Sequence, residues 1–295
     1  MPYIDKTEIL FIINPNSGKK NPNRIIQQIK NVDSCISCIV TKDTKELERV
    51  LQHNIEKFKV FVAVGGDGTV NEIMKHLFNN KEKVLAVFPN GSGNGFANEL
   101  NFNTNIKSLI DDIIKGETIF IDVLEVNNNK CINITGLGLD SFVAHDFQRC
   151  KDRGLKNYII STIKSILLFK PFNAVITTSK NEISGKFQLI SVANTRQFGN
   201  NFVLSPASKP NDGIFEIVLI KPFPIYFYPI FIVRMLLANL KDSQYINYIE
   251  ESDSISISSE YKKYHVDGEP YLTEGILKIK MCKNSIQIIK TSHNK

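Results

Sequence analysis

An apolar run that ends in a cluster of glycines constrains the fold of this chain more than any other feature. Residues 60–64 are all apolar, which predicts a buried parallel strand, and residues 65–69 follow directly with the sequence Gly-Gly-Asp-Gly-Thr. Residues 70–78 then continue with helical spacing. A helix that starts at such a turn leaves its first N–H groups without backbone partners, and glycines let an anion approach them closely. The turn therefore predicts a phosphate site, with a tight turn that needs only glycine conformations as the plainer alternative.

Asp67, inside this turn, needs its own explanation because a carboxylate is repelled by a bare phosphate. Three roles are open: a ligand of a bridging Mg²⁺, a proton acceptor, or a hydrogen-bond acceptor that shapes the loop. The first two roles would make Asp67 part of a reactive site, and the third would make it structural.

The composition is that of a globular protein. Hydrophobic residues make up 42% of the 295 residues and charged residues 22%, which is enough for one large domain or two ordinary ones. The net charge of +6 suits anionic phosphate substrates and an acidic membrane surface. It is too diffuse to indicate nucleic acid as a partner.

The first residues and the cysteines indicate a cytoplasmic protein. The first ten residues lack a basic segment followed by an apolar run, so we expect no secretory signal. The five cysteines are scattered, and although Cys35 and Cys38 form a CxxC pair, no second pair lies at zinc spacing. We therefore expect reduced thiols and a cytoplasmic location, with peripheral contact to the inner face of the membrane left open.

The first part of the chain alternates short apolar strands with amphipathic helices. Strands are predicted at 8–13, 34–40, 60–64 and 84–88, and helices between them give a parallel sheet in a three-layer α/β domain. Three of these strands end in loops rich in Gly, Ser, Asn and Thr. Because ligands gather at the carboxyl ends of strands in open parallel sheets, we expect one shared ligand at this edge.

From about residue 119 the chain is richer in short β segments separated by Asn- and Gly-containing turns, which is typical of an antiparallel, sandwich-like domain. The predicted domains are residues 1–122 and residues 123–283. A tail at about 284–295 is expected to return to the first domain.

Two apolar helical stretches, 156–169 and 223–240, interrupt the second domain. The later stretch contains Pro224, Pro229 and Arg234, which make it a poor membrane-spanning helix. A core or lid helix, or a helix that touches a lipid surface, is the better interpretation.

Six short motifs occur along the chain in a fixed order. They lie at residues 14–18, 65–72, 91–94, 133–140, 211–213 and 267–269. Together they make the chain resemble the diacylglycerol kinase catalytic family, the soluble bacterial lipid kinases related to sphingosine kinase. The resemblance covers essentially the whole sequence and implies a first domain like those of NAD kinases and phosphofructokinases. NAD kinases share the glycine turn, but they are not expected to carry the Asn-Pro-x-Ser-Gly strand end or the Asp-Gly-Glu turn.

Two positions depart from the pattern of many bacterial members, which read Gly-Thr-x-Asn-Asp after the fourth strand. Ser92 replaces the threonine and keeps its hydroxyl, whereas Gly95 replaces the aspartate. The lost carboxylate weakens any metal or adenine-side role at residue 95.

By this resemblance ATP is bound at the polar strand ends, where glycine N–H groups and hydroxyls suit phosphates. The residues implied in nucleotide binding are Asn14, Pro15, Asn16, Ser17, Gly18, Lys19, Lys20, Thr41, Gly65, Gly66, Asp67, Gly68, Thr69, Asn71, Glu72, Gly91, Ser92 and Asn94. Phosphoryl transfer requires charge neutralisation, so Mg²⁺ is also implied, and Asp67 is the first candidate near that ion.

The resemblance implies that catalysis takes place at the Asp-Gly-Glu turn. Glu269 matches the general base that takes the proton from the lipid hydroxyl, and Asp267 is a further candidate catalytic carboxylate. Asp-Gly is also a strong hairpin signal, so a plain turn is the alternative. Asp140 is a candidate for the substrate headgroup or for a helix cap, and His265 is expected to be an ordinary polar residue.

The resemblance further implies a structural Mg²⁺ at the Asn-Asp-Gly turn. Asp212 would supply a carboxylate, and Lys209 and Ile214 would supply backbone oxygens. A turn without metal is an equal alternative there.

We therefore expect an ATP- and Mg²⁺-dependent lipid kinase that phosphorylates a hydroxyl of a diacylglycerol-like or sphingoid lipid. The lipid substrate would lie at a membrane surface, and the sequence leaves open whether the chain forms a homodimer. The alternatives are a small-molecule kinase similar to NAD kinase, and a nucleotide-binding regulator without turnover.

Overall fold

The structure, a computed structural model, describes residues 3–18, 21–148 and 165–292. The chain divides into two compact units, which we call the first and second units. The first unit contains Met1–Ile121 and Asn284–Lys295, and the second contains Asp122–Lys283. The predicted domain boundaries lie within one residue of this division.

The first unit is built on parallel strands with helices between them. Its strands lie in the order β2-β1-β3-β4, and the end of β16 pairs in parallel with β4 through Gln287 and Ile288. A short 3₁₀ helix, Lys6–Glu8, precedes β1. The elements are β1 (Ile9–Ile13), α1 (Pro22–Val32), β2 (Ser37–Val40), α2 (Thr44–Asn54), β3 (Val60–Gly65), α3 (Asp67–Leu77), β4 (Val84–Pro89), α4 (Gly95–Glu99) and α5 (Ile106–Lys115).

Helices cover both faces of this sheet. Every residue of β1 and β3 is buried, as expected for strands that are covered on both faces. Helix α1 contacts α5, and α2 contacts α3. Right-handed crossovers place α1 on one face of the sheet and α2 and α3 on the other. The predicted three-layer α/β fold is therefore confirmed.

Side chains set where these helices begin. The Asn21 side chain accepts from the Asn23 N–H ahead of α1, and Pro22 occupies the first turn. The Asp43 carboxylate accepts from the Glu46 N–H at the start of α2. α3 differs, because its N-cap residue is Gly66 and has no side chain to accept a hydrogen bond.

The second unit is a sandwich of two antiparallel sheets. One sheet has the order β12-β11-β10-β7-β14-β15, and the other contains the first part of β16 with β13, β8 and β9. Buried apolar side chains from both sheets form one core cluster. The elements are β5 (Thr118–Val126), β6 (Asn129–Cys131), β7 (Ile134–Gly138), α6 (Leu139–Gln148), β8 (Phe172–Thr177), β9 (Glu182–Phe187), β10 (Leu189–Ala193), β11 (Phe215–Ile220), α7 (Tyr228–Leu236), β12 (Ile246–Glu251), β13 (Ser254–Ser259), β14 (Lys263–Val266), β15 (Glu269–Leu272) and β16 (Ile276–Ile289).

The outer face of the six-stranded sheet is covered by α7. Phe231 and Met235 from this helix pack in a second core cluster with strand residues such as Val218 and Ile220. The helix predicted over 223–240 is shorter in the structure, which has a 3₁₀ turn at Ile225–Phe227 followed by the nine residues of α7. In the described part of the chain, no helix combines the length and apolarity needed to cross a membrane.

The helix predicted over 156–169 falls mostly outside the described residues. Residues 165–168 are helical, and the described chain continues into β8. The two-domain prediction of an α/β part followed by a β sandwich is confirmed.

Candidate functional site

Three loops meet at the carboxyl edge of the parallel sheet in the first unit. The loop after β1 is joined to α3 because the Asn14 side-chain amide donates to the Thr69 hydroxyl at 3.0 Å. The same loop is joined to the segment after β4 because the Asn90 amide donates to the Ser17 carbonyl oxygen at 2.9 Å. The structure therefore brings together loops that follow three different strands.

These loops carry most of the residues predicted to bind the nucleotide. The loop after β1 holds Asn14, Pro15, Asn16, Ser17 and Gly18; Thr41 follows β2; Gly65 ends β3; Gly66 precedes α3; Asp67, Gly68, Thr69, Asn71 and Glu72 lie in α3; and Gly91, Ser92 and Asn94 follow β4. Lys19 and Lys20 lie outside the described residues.

Two glycines are required where the loops approach one another. Gly18 has φ +71°, and a Cβ there would lie 1.6 Å from the Asn90 carbonyl oxygen. A Cβ on Gly91 would lie 2.4 Å from the Gly66 Cα. Close backbone packing between loops therefore accounts for glycine at positions 18 and 91 without a ligand.

Asp67 holds the start of α4. Its carboxylate accepts the N–H groups of Gly95 at 2.8 Å and Phe96 at 2.9 Å, so it ties the β3–α3 turn to the segment after β4. Hydrogen bonds from backbone N–H groups to a carboxylate are among the stronger ones in proteins. This geometry fits the loop-shaping role for Asp67, and the metal-ligand and proton-acceptor roles stay predictions.

Asn94 and its neighbours form a tight turn. The Asn94 side chain accepts from the Gly91 N–H at 2.8 Å and donates to the Gly91 carbonyl oxygen at 2.9 Å, with the Asn94 backbone at φ 51°. Ser92, within this turn, is exposed. Its hydroxyl is therefore accessible to a ligand.

Other residues predicted to contact the nucleotide are engaged elsewhere or buried. Thr41 is buried, and its N–H donates to the Ile13 carbonyl oxygen at 3.0 Å. Asn71 is buried as well. Glu72 forms an ion pair with Lys75 at 2.7 Å, one turn further along α3. These contacts give Thr41 and Glu72 structural roles, and direct contact of any of the three residues with a nucleotide stays a prediction.

In the second unit, Asp267 anchors the turn between β14 and β15 to the start of β7. Its carboxylate accepts the N–H groups of Ile132 at 2.9 Å, Asn133 at 2.8 Å and Ile134 at 3.2 Å. The Cys131 thiol also donates to it at 3.1 Å, and burial together with the nearby carboxylate raises the pKa of that thiol. Asp267 therefore has a structural role, and its catalytic role stays a prediction.

Glu269 begins β15, directly after this anchored turn. It pairs with Val266 across the hairpin, and its side chain is exposed. The carboxylate is therefore open to solvent, on a hairpin whose position is fixed by the part-buried hydrogen bonds of Asp267.

A buried histidine connects Asp140 to the same turn. The Asp140 carboxylate accepts the Ser191 hydroxyl at 2.7 Å and lies 3.0 Å from His265 Nε2. The Gly268 N–H points to His265 Nδ1 at 3.3 Å, so Nδ1 accepts and Nε2 carries the proton that Asp140 accepts. His265 is only 2% exposed. The expectation that His265 is an ordinary polar residue misses this connection, because a sequence does not reveal which strands pair.

The Asn-Asp-Gly turn is held by hydrogen bonds of its own. Asp212 is exposed, and one of its oxygens accepts the Ile214 N–H at 3.0 Å. The Gly213 N–H, at φ +74°, donates to the buried carboxylate of Asp122 at 2.7 Å. Across the described ranges, no cluster of three or more His, Cys, Asp or Glu side chains has the arrangement of a metal site. The Mg²⁺ site at Lys209, Asp212 and Ile214 stays a prediction, since backbone oxygens would supply part of it.

Glu216 is the carboxyl group near this turn with a strongly shifted pKa. Burial raises its pKa to about 7, the Ser208 hydroxyl opposes this by hydrogen bonding, and the charges of Asp212 and Glu250 add to the rise. Between the ordinary value of 4.5 and about 7, the folded state keeps a proton that the unfolded state has lost. This group therefore makes stability fall as pH rises through that window.

We expect Glu216→Gln to remove this pH dependence. Between pH 5 and pH 8, the free energy of unfolding of the native chain should fall by on the order of 2 kcal/mol more than that of the variant. Urea unfolding at several pH values measures the difference, and Glu260→Gln, at an exposed position of the second unit, is the control. Equal pH slopes for Glu216→Gln and the native chain would contradict the assignment.

Comparison with known proteins gives a match in each part of the chain. Residues 8–126 match the family model described as "Diacylglycerol kinase catalytic domain", and residues 133–277 match "YegS C-terminal NAD kinase beta sandwich-like domain". A protein of Shewanella frigidimarina named "Probable lipid kinase YegS-like" is 27% identical over 295 residues, which cover 96% of this chain and 94% of that protein.

Solved structures share the fold. A diacylglycerol kinase from Bacillus anthracis superposes with a TM-score of 0.75 at 21% identity, covering 98% of both chains. An NAD kinase from Archaeoglobus fulgidus, solved in complex with ATP, superposes with a TM-score of 0.55 at 14% identity, covering 97% of this chain and 94% of the other. A different family model matches most of each part and a relative aligns along nearly the full length, so the chain combines a diacylglycerol kinase catalytic domain with a C-terminal domain of the YegS type.

Proposed function

We propose that this protein is a lipid kinase that transfers the γ-phosphate of ATP to a hydroxyl of a diacylglycerol-like or sphingoid lipid. The observation that carries the proposal is the start of α3, where a helix without a side-chain N-cap begins at the meeting point of three loops. Helix N-termini at the carboxyl edge of a parallel sheet bind phosphates through backbone N–H groups and the helix dipole. The diacylglycerol kinase catalytic domain and the lipid kinase name of the relative support the same reaction.

The phosphates would be held by the backbone of the β3–α3 turn and by nearby hydroxyls. Asn14 donates to the Thr69 hydroxyl and so orients it, and Asp67 fixes the segment that presents Ser92. In phosphoryl transfer the protein mainly positions the reactants and neutralises charge, so these fixed loops suit the chemistry.

Glu269 would act as the general base on the lipid hydroxyl. It would accept the hydroxyl proton while the oxygen bonds to the γ-phosphorus and the bond to ADP breaks. Exposure of the Glu269 side chain leaves it accessible to a substrate. The bonds of Asp267 and His265 fix the turn that carries it, so both would act as positioning residues.

Mg²⁺ would neutralise the charge that develops on the transferred phosphate. Carboxylate and carbonyl oxygens are the ligands this ion prefers, so Asp67 fits near the phosphates, and Asp212 with the backbone oxygens of Lys209 and Ile214 fits a second site. Asp212→Ala should remove a rise in melting temperature of roughly 2–4 °C on adding Mg²⁺, whereas Asp253→Ala, at another exposed aspartate, should keep it. An unchanged Mg²⁺ response in Asp212→Ala would contradict the second site.

A kinase assay with a substrate panel tests the function directly. Purified protein is incubated with ATP labelled in the γ-phosphate and, separately, diacylglycerol, sphingosine or NAD. We expect label in one of the lipids. Label only in NADP would favour a small-molecule kinase. We include this candidate because the fold is similar to that of an NAD kinase. ATP binding without transfer to any acceptor, together with no cellular effect of Glu269→Gln, would favour a regulator without turnover.

A further inference from the structure

Helix α7 is apolar on two opposite sides. Its inner side, which includes Phe231 and Met235, packs on the outer face of the six-stranded sheet. Its outer side remains exposed, and four large side chains stand out there or directly beside it, with Tyr226 in the preceding 3₁₀ turn and Leu237 just after the last residue of the helix. We call these four the α7 stripe: Tyr226 (75% exposed), Ile230 (46%), Val233 (53%) and Leu237 (70%).

The spacing of the stripe makes it one continuous surface. Ile230, Val233 and Leu237 are separated by three and four residues and therefore lie on one face of the helix, and Tyr226 lies one turn earlier. Ile225 and Leu236, also exposed, flank this face. Scattered exposed apolar residues are ordinary, but a contiguous group of this kind is typical of a surface that binds a partner.

The sequence segment that carries the stripe contains basic residues and no acidic ones, and the first acidic residue after it is Asp242, beside Lys241. Between Glu216 and Asp242 the sequence contains Lys221, Arg234 and Lys241 and no acidic residue. All three cationic side chains are exposed. An exposed apolar face with a cationic border complements an anionic lipid surface, where apolar side chains enter the acyl boundary and Lys or Arg contact headgroups.

A second copy of the chain fits this surface less well. A twofold contact between two α7 stripes places the same patch of each copy against the other, so the cationic borders of both copies come together. Like charges brought close in this way repel, whereas anionic headgroups attract them.

We propose that the α7 stripe docks this protein on the surface of an anionic lipid bilayer. This inference rests on the proposed lipid kinase function, because such an enzyme must reach a substrate that lies in a membrane. The docking itself is measured without turnover.

The test compares the native chain with Val233→Gln/Leu237→Gln in sedimentation with vesicles. Vesicles of mixed phosphatidylglycerol and phosphatidylcholine are compared with vesicles of phosphatidylcholine alone. We expect the double variant to bind the anionic vesicles at least about tenfold more weakly, since two apolar side chains are removed from the acyl boundary. Tyr3→Ser, at an apolar position 74% exposed in the first unit, should bind like the native chain.

A second variant tests the charge. Lys221→Gln/Arg234→Gln keeps the apolar stripe, and it should reduce the preference for anionic vesicles over neutral ones; higher ionic strength should weaken binding of the native chain. Because all substituted side chains are exposed, melting temperatures should match that of the native chain.

Two results would overturn the inference. One is equal vesicle binding by the native chain and Val233→Gln/Leu237→Gln. The other is a change from dimer to monomer in light scattering of that variant with vesicle binding unaltered, which would assign the stripe to a second copy. Failure of the kinase assay with every lipid would contradict the proposed function and leave stripe-dependent vesicle binding standing.

Discussion

Replacing Glu269 with glutamine is expected to lower kcat by at least about 10²-fold, within the range that a positioned general base supplies. ATP affinity should persist because Glu269 lies on the hairpin of the second unit, whereas the predicted phosphate-binding turn lies in the first. The melting temperature should also persist because the Glu269 side chain is exposed. Kinase assays at saturating ATP and lipid, together with isothermal titration of ATP, measure the two quantities separately.

Glu274→Gln is the matched control for this experiment. It changes an exposed glutamate five residues further along the chain, and it should leave kcat at the native level. A loss of ATP affinity as large as the loss of kcat would assign Glu269 a structural role. Native turnover in Glu269→Gln would remove it from catalysis.

Replacing Asp67 with asparagine is expected to weaken ATP binding by roughly 10–100-fold. Asparagine is neutral and offers one acceptor oxygen where the carboxylate offers two, so one of the Gly95 and Phe96 N–H groups keeps only an uncharged acceptor and the other loses its acceptor. Hydrogen bonds to charged groups contribute about 1.5–3 kcal/mol each, which corresponds to that range of affinity if the loop loses its shape. ATP titration calorimetry and the melting temperature measure the effect.

A Mg²⁺ titration of the same variant tests the metal-ligand role of Asp67. If Asp67 also contacts the ion, Asp67→Asn should require more Mg²⁺ for half-maximal activity at saturating ATP. An unchanged Mg²⁺ dependence would remove Asp67 from the metal ligands. Asp111→Asn, at an exposed position of α5, should behave like the native chain in every measurement.

Much of the fold was predictable because its signals are local. The run of apolar residues that ends at Gly65 predicts β3, and the alternation of strands and helices predicts the parallel sheet. The change to short β segments predicts the sandwich. The family resemblance is confirmed for the same reason, since its motifs are short strings that a sequence displays directly.

The roles of individual polar residues were less predictable because their partners are distant in sequence. Asp67 accepts N–H groups of residues 28 and 29 positions away, and His265 meets Asp140 across 125 positions. Such groups come together only through the order and register of the strands. A turn motif has the same amino-acid sequence whether its carboxylate binds a metal ion or accepts backbone N–H groups. The length of α7 was overestimated for a similar reason, since apolar composition continues beyond the residues that form the helix.

Cys131, whose thiol donates to Asp267, has a consequence for chemical labelling. The thiolate is the reactive form of cysteine, and burial beside a carboxylate keeps Cys131 protonated at neutral pH. An alkylating reagent therefore reaches Cys131 only in molecules whose β6–β7 junction has opened, whereas the exposed Cys35 reacts in the native state. The alkylation rate of Cys131 therefore measures how often the hydrogen bonds between Asp267 and the start of β7, which hold the Glu269 hairpin in place, open.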